Sequence, residues 1–246
     1  MSNPLITVTD LTMGWDAKNL LEHVSFEIAQ GEVFAILGGS GCGKSTLLRC
    51  LTGLDEPKSG TIHIEGVGTP NLDVGRPAYG VMFQGGALFG SMTVGDNVGL
   101  ALREWTDLPP GAVEAIVHAK LRLVGLSGFE NHYPSEISGG MKKRAAIARA
   151  MALEPSLLFL DEPSAGLDPV SAVELDELIL TLSGGLGMTV VIVTHELESI
   201  FKVVRNCIML DKKTMSIIAR GDPRALRDRD GNDAVKRFFT RSTENV

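Results

Sequence analysis

Gly38-Gly39-Ser40-Gly41-Cys42-Gly43-Lys44-Ser45-Thr46 closes a run of glycines with a lysine and two hydroxyls. The spacing is G-x-x-x-x-G-K-S, a phosphate-binding loop. Glycines let successive backbone N–H groups turn inward as an anion nest, and a following helix N-terminus adds partial positive charge. In such a loop Lys44 reaches the β- and γ-phosphates and Ser45 offers its hydroxyl to Mg²⁺.

Other reactive side chains stand at the ends of apolar runs. Leu157-Leu158-Phe159-Leu160 stops at Asp161-Glu162. Beside a phosphate loop, Asp161 suits Mg²⁺ and Glu162 suits proton abstraction from a water, although the pair is also a common turn signal. Tyr79-Gly80-Val81-Met82-Phe83 stops at Gln84, and Thr189-Val190-Val191-Ile192-Val193-Thr194 stops at His195. The carboxyl edge of an α/β sheet is where ligands sit, but a solvated glutamine or a structural histidine has the same appearance. Ser138-Gly139-Gly140 opens a helix with a good N-cap and amides free for an anion, and an ordinary capped helix would look alike. Trp15 offers an aromatic face for a base; partial burial at a strand end explains it equally well.

Elements must hold these groups. Val33 to Leu37 predicts a buried parallel strand before the glycine loop, and Thr46 to Leu51 a helix after it. Leu5–Val8, His23–Ile28 and Thr61–Gly66 predict strands, with Met13 to Asp16 between the first two. Gly85 to Met92 predicts an apolar, glycine-rich loop that packs inside or else serves as a hinge or a contact patch. Thr93 caps a helix from Val94 to Leu102, and Ala112 to Val124 carries Val113, Ile116, Val117, Leu121 and Val124 at helical spacing. A helix is expected from about Val170 to Leu182, another from Glu196 to Val204, and a hairpin about Asp211-Lys212-Lys213-Thr214. Residues 222–232 predict a solvated charged stretch, and Asp233 to Thr240 a short helix burying Val235, Phe238 and Phe239. The fold class is α/β: a phosphate-loop core with an antiparallel β subdomain and a helical subdomain at about 85–152.

Composition narrows the field. The chain has 246 residues, 44% hydrophobic residues and a net charge of −7. The acidic balance argues against nucleic acid as a partner. No apolar run approaches the ~20 residues that span a bilayer. No signal peptide is visible at Met1-Ser2-Asn3-Pro4. The three cysteines lack disulfide or zinc spacing, which suits the cytosol.

In order, these motifs resemble the ATP-binding subunit of an ABC transporter, over about residues 5–220. The resemblance implies an ABC ATPase fold, ATP and Mg²⁺ as ligands, and one domain over 1–220 with a C-terminal extension over 221–246. It implies that Trp15 stacks on adenine, that Gly38 to Thr46 is the Walker A loop, and that Gln84 is the Q-loop glutamine. Ser138, Gly139 and Gly140 belong to the signature, Asp161 and Glu162 end Walker B, Ser164 to Asp168 is the D-loop, and His195 is the switch histidine. Catalysis then falls to Glu162, His195, Gln84 and Lys44, and metal binding to Ser45, Gln84 and Asp161. Head-to-tail homodimers sandwich each ATP between one Walker A loop and the other subunit's Ser138, and separate permease subunits dock on residues 84–102.

One departure stands out. The signature reads Ser-Gly-Gly-Met-Lys where most of the family has glutamine, and Met141 lacks that side chain's hydrogen bonds. With Phe83 to Phe89 and Tyr133-Pro134-Ser135-Glu136 it resembles the Mla/Mce-type lipid transport ATPases. That implies phospholipid movement between inner and outer membranes, accessory cytoplasmic and periplasmic lipid-binding subunits, and a peripheral place on the cytoplasmic face of the inner membrane. Phe238 and Phe239 are expected to pack on a second subunit or an accessory protein. The competing expectation is an amino-acid or other small-solute importer. A ribosome- or DNA-directed ATPase is disfavoured by the absence of a second cassette or coiled-coil insert, and an inactive module by Lys44, Asp161, Glu162 and His195.

Overall fold

Glycine and β-branched residues mark out most of the elements in the computed structural model, which describes residues 4–71, 75–228 and 233–240. The chain forms two compact units, residues 1–73 with 189–246, and residues 74–188.

The first unit opens with β1 (Pro4–Trp15) and β2 (Lys18–Ala29), an antiparallel hairpin in which Trp15 faces Lys18. Both strands are longer than the sequence alternation predicts. The pairing register shifts between Val8 and Leu11, and Asp10 and His23 are left-handed (φ 50° and 51°). The break in alternation is thus a bulge rather than a strand end. His23 Nδ1 lies 2.8 Å from Asp10 Oδ1 across it. The buried strand β3 (Val33–Gly38) leads through the glycine loop into α1 (Lys44–Leu51), and β4 (Ser59–Ile64) completes a three-stranded sheet in the order β2-β1-β4.

The second unit begins with β5 (Gly80–Met82), shorter than expected because Phe83 leaves the sheet and is exposed. The helices α2 (Val94–Trp105) and α3 (Pro110–Leu123) follow. Thr93 caps α2, its hydroxyl accepting from the Asp96 N–H at 3.0 Å. Pro110 opens α3 where its missing donor costs nothing. The loop before α2 does not pack wholly inward: Phe89 is 50% exposed. Then come α4 (Gly139–Ala150), β6 (Leu157–Asp161) and α5 (Pro169–Leu180), which ends in a π-helical turn, Thr181–Gly185. β5 and β6 pair in parallel, and Tyr79 packs edge-on against Phe159 at 5.5 Å.

The chain returns to the first unit with β7 (Thr189–Val193), α6 (Leu197–Val203), β8 (Asn206–Asp211) and β9 (Ser216–Gly221). β3 lies between β7 and β8, parallel to both, and β9 runs antiparallel on β8. β7 is buried along its whole length, as suits a parallel strand covered on both faces. Residues 223–228 correct the expected solvated stretch. They form α7 (Pro223–Asp228), which buries Pro223 and Leu226, and residues 229–232 lie outside the described set. The last helix, α8 (Asp233–Thr240), buries Val235 and Phe239, while Phe238 is half-buried. Phe239 packs at 5.6 Å and a tilt of 36° against Phe201 of its own chain, and Arg227 sits 5.0 Å over the Phe201 ring. The chain itself therefore covers Phe239, a ring the sequence assigns to a partner. Among the described residues no helix is long and apolar enough to cross a membrane.

Candidate functional site

In the first unit the glycine loop is shaped by its own backbone. Gly38 (φ 143°) has no room for a side chain: a Cβ would lie 2.5 Å from Leu210 O and 2.6 Å from Cys42 Sγ. β8 therefore presses directly on the start of the loop. Gly41 (φ 73°) and Gly43 (φ 99°) take left-handed conformations that glycine alone adopts without strain. Space around Gly39 is open to 4 Å.

Lys44 folds back over this loop. Its Nζ donates to Gly38 O at 2.9 Å and Gly39 O at 3.1 Å, leaving one ammonium proton directed elsewhere. α1 starts at Gly43 without a side-chain cap, so the amides of its first turn have no intrahelical acceptor. An ammonium, left-handed glycines and a helix start without a side-chain cap, all in one turn, are the parts from which an anion cradle can be built. Cys42 is buried beside it, and burial holds its thiol protonated against the opposing pull of Lys44.

The β1–β2 hairpin borders the loop. A Cβ on Gly43 would meet Met13 Cε at 3.0 Å and Leu20 Cβ at 3.3 Å, two and five residues from Trp15. Trp15 ends β1 with 59% of its surface exposed. This excludes burial as the reason for a tryptophan there and leaves a free aromatic face at the cradle's border. Lys58, which the sequence does not single out, braces the turn. It donates to Asp16 O at 2.7 Å, Asn19 Oδ1 at 2.8 Å and Lys18 O at 3.1 Å. His195 follows β7 after Thr194 with its ring half exposed, and Nε2 lies 3.4 Å from Glu196 Oε1.

In the second unit Ser138 caps α4, its hydroxyl oxygen accepting from the Met141 N–H at 3.3 Å. The Lys142 N–H goes to Ser138 O, so the Gly139 and Gly140 amides open the helix without intrahelical acceptors. Gly140 lies close to the start of α5: a Cβ there would stand 3.0 Å from Ser171 Oγ, a tight contact. Asp168 caps α5, accepting from Val170 N, Ser171 N and the Ser171 hydroxyl. Those bonds, the Ser171 hydroxyl first, hold its carboxyl below the usual range. Asp161 ends β6, and Glu162 turns the chain in a left-handed conformation, φ 48°, with 8% exposure.

Gln84 and Glu162 are brought together through a residue the sequence reading passes over. The buried Lys143 Nζ donates to the main-chain oxygens of both Gln84 and Glu162. Arg149 donates to Gly86 O at 2.9 Å and Ala87 O at 2.7 Å. One signal was available: residue 143 lies four positions before the buried Ile147, a cation on the apolar face of α4.

The ABC transporter family profile matches residues 21–165. A mycobacterial protein, the probable ribonucleotide transport ATP-binding protein mkl of Mycobacterium leprae, is 43% identical over 213 residues, 85% of this chain and 61% of that protein. The chain thus spans about three fifths of the length of such mycobacterial relatives. The intermembrane phospholipid transport system ATP-binding protein MlaF of Escherichia coli K12 is 39% identical over 229 residues, 91% of this chain and 84% of that protein. Among solved structures, the dimeric post-hydrolysis state of the ATP-binding cassette MJ0796 bound to ADP and Pi superposes with a TM-score of 0.78 at 28% identity. It covers 88% of this chain and 98% of that one.

Proposed function

The chain belongs to the ABC transporter family, and from that premise we propose that it binds and hydrolyses ATP as the energising subunit of a phospholipid transporter. The observation that carries the lipid assignment is the likeness to the MlaF phospholipid transport protein over most of both chains. The Ser138-Gly139-Gly140-Met141-Lys142 signature agrees with it.

The roles follow from the chemistry of each group. The Gly38–Thr46 cradle and Lys44 hold phosphate oxygens, and Trp15 stacks on the base. Ser45, Gln84 and Asp161 supply a hydroxyl, an amide oxygen and a carboxylate, all hard oxygen donors of the kind Mg²⁺ takes. Bound Mg²⁺ would neutralise charge on the transferring phosphoryl group. Glu162 accepts the proton of the attacking water, and His195 contacts the γ-phosphate.

Two copies pair about a two-fold axis, so that Ser138 and the Gly139 and Gly140 amides of one face the nucleotide of the other. ATP supplies the contact that favours the closed pair, and hydrolysis removes it. Permease subunits meet the surface about Gln84 to Leu102, with accessory cytoplasmic and periplasmic lipid-binding subunits completing the path. The ATPase lies peripherally on the cytoplasmic face of the inner membrane, and the cassette comprises residues 1–220 with residues 221–246 as a C-terminal extension.

Affinity purification of the tagged chain from its own membranes, with mass spectrometry of co-purified proteins and lipids, tests this. A permease carrying stoichiometric phospholipid is the expected result. A permease with a bound amino acid or other small solute would transfer the chain to the importer class.

A further inference from the structure

The two left-handed turns of the second unit that lie beside the proposed catalytic groups share a feature. Glu162 (φ 48°) and Ala87 (φ 49°) are both non-glycine residues in this conformation, which a side chain's Cβ disfavours. The carbonyl of each is held by a cation of α4. Lys143 donates to Glu162 O at 3.1 Å, and Arg149 to Ala87 O at 2.7 Å. Lys143 also donates to Gln84 O, so one ammonium joins segments 59 and 19 residues away in sequence.

Its acceptors matter. A bond to a side-chain carboxylate would leave the backbone free to move, whereas bonds to main-chain oxygens fix the points from which the Gln84 and Glu162 side chains depart. Lys143 is only 8% exposed. Burial lowers its proton affinity, and the carboxylates of Asp161 and Glu162 act in the opposite direction. A buried cation of this kind is hard to explain as a contribution to stability, because an apolar side chain of equal size commonly does as well. The same helix is capped by Ser138, five residues and about 7.5 Å of helical rise away.

We propose that Lys143 is a positioning residue: through the main-chain oxygens of Gln84 and Glu162 it holds the glutamine and the carboxylate in register with each other and with the Ser138 end of α4. The catalytic part of this inference rests on the ATPase reading above; the register itself does not.

The test is Lys143→Met, a near-isosteric neutral replacement, with Lys143→Gln as the second variant should the first not fold. Both are made in the full chain. Hydrogen exchange and ATP turnover are read together. The expected result is exchange at least about tenfold faster in residues 83–88 and 161–166, with β3 and α1 unchanged. kcat falls by about tenfold or more, and KM for ATP stays within about twofold, the signature of lost transition-state stabilisation without lost ground-state binding.

Unchanged exchange in either segment, loosening of the whole chain, or a kcat near the parent's would each overturn the proposal. Should the parent itself turn over no ATP, the ATPase reading fails, and the exchange data still decide the register.

Discussion

The two candidate catalytic regions are built in opposite ways. The phosphate loop is shaped from within: its glycines adopt the turns, and its own Lys44 ties Gly38 and Gly39. The Gln84–Glu162 corner is shaped from outside, by Lys143 and Arg149 projecting from α4. A loop that carries its own instructions can be recognised as a string of residues. A corner held by a helix distant in sequence cannot. Damage should differ accordingly. Local substitutions disable the loop, whereas the corner fails both through its own side chains and through residues remote from it.

The largest effect should come from the corner's carboxylate. Glu162→Gln keeps the shape of the side chain and removes its basicity, so kcat should fall by about 10²–10⁴ while ATP still binds. Steady-state turnover beside calorimetric binding measures both, and turnover at the parent rate removes Glu162 from the base role.

Next is the loop's cation. Lys44→Ala removes the charge proposed to meet the phosphates and the brace across Gly38 and Gly39, so ATP affinity should weaken by at least about tenfold, the scale of one charge-assisted hydrogen bond. Unchanged affinity by calorimetry would refute the cradle.

Gly38→Ala tests the point where β8 presses on the loop. Its methyl would collide with the Leu210 carbonyl, and forcing β8 away from the loop should cost about 1–3 kcal/mol by denaturant unfolding. The same substitution at Gly39, where space is open, should cost far less. Equal losses at the two sites would show that packing against β8 does not set the loop.

The smallest effect lies behind the loop, where Arg49 at the end of α1 holds Asp55 through bonds of 2.6 and 2.7 Å. The Arg49 bond pulls the Asp55 carboxyl below its usual range. A folded-state value below the unfolded one gives stability that is complete above about pH 4 and lost as pH falls through the folded value. Asp55→Asn should therefore cost under about 1 kcal/mol at pH 7, and the difference from the parent should vanish at lower pH. A cost that persists in strong acid would exclude the ion pair as its source.

Much of this was legible in the residues. Val33 to Leu37 is apolar at every position because β3 runs between two parallel neighbours, and glycine spacing alone identifies the loop after it. Thr93 and Ser138 cap their helices as their side-chain chemistry requires. Boundaries were harder. β1 continues past Val8 because Asp10 and His23 form a bulge that hides the alternation, and α7 folds within a stretch so charged that it reads as solvated. Phe239 was recognised as a buried ring, but only Phe201 shows what covers it.

By itself the sequence determined the fold class, the glycine loop between β3 and α1 and the chemical type of each candidate group, because each depends on residues adjacent in the chain or at one helical or strand period. Tertiary structure alone decided that Trp15 is exposed, that Met13 and Leu20 of its hairpin border Gly43, that Leu210 presses on Gly38, and that Lys143 joins Gln84 to Glu162. Those are meetings between segments tens to nearly two hundred residues apart, and no local pattern of charge or hydrophobicity records which main-chain oxygen a distant ammonium will find.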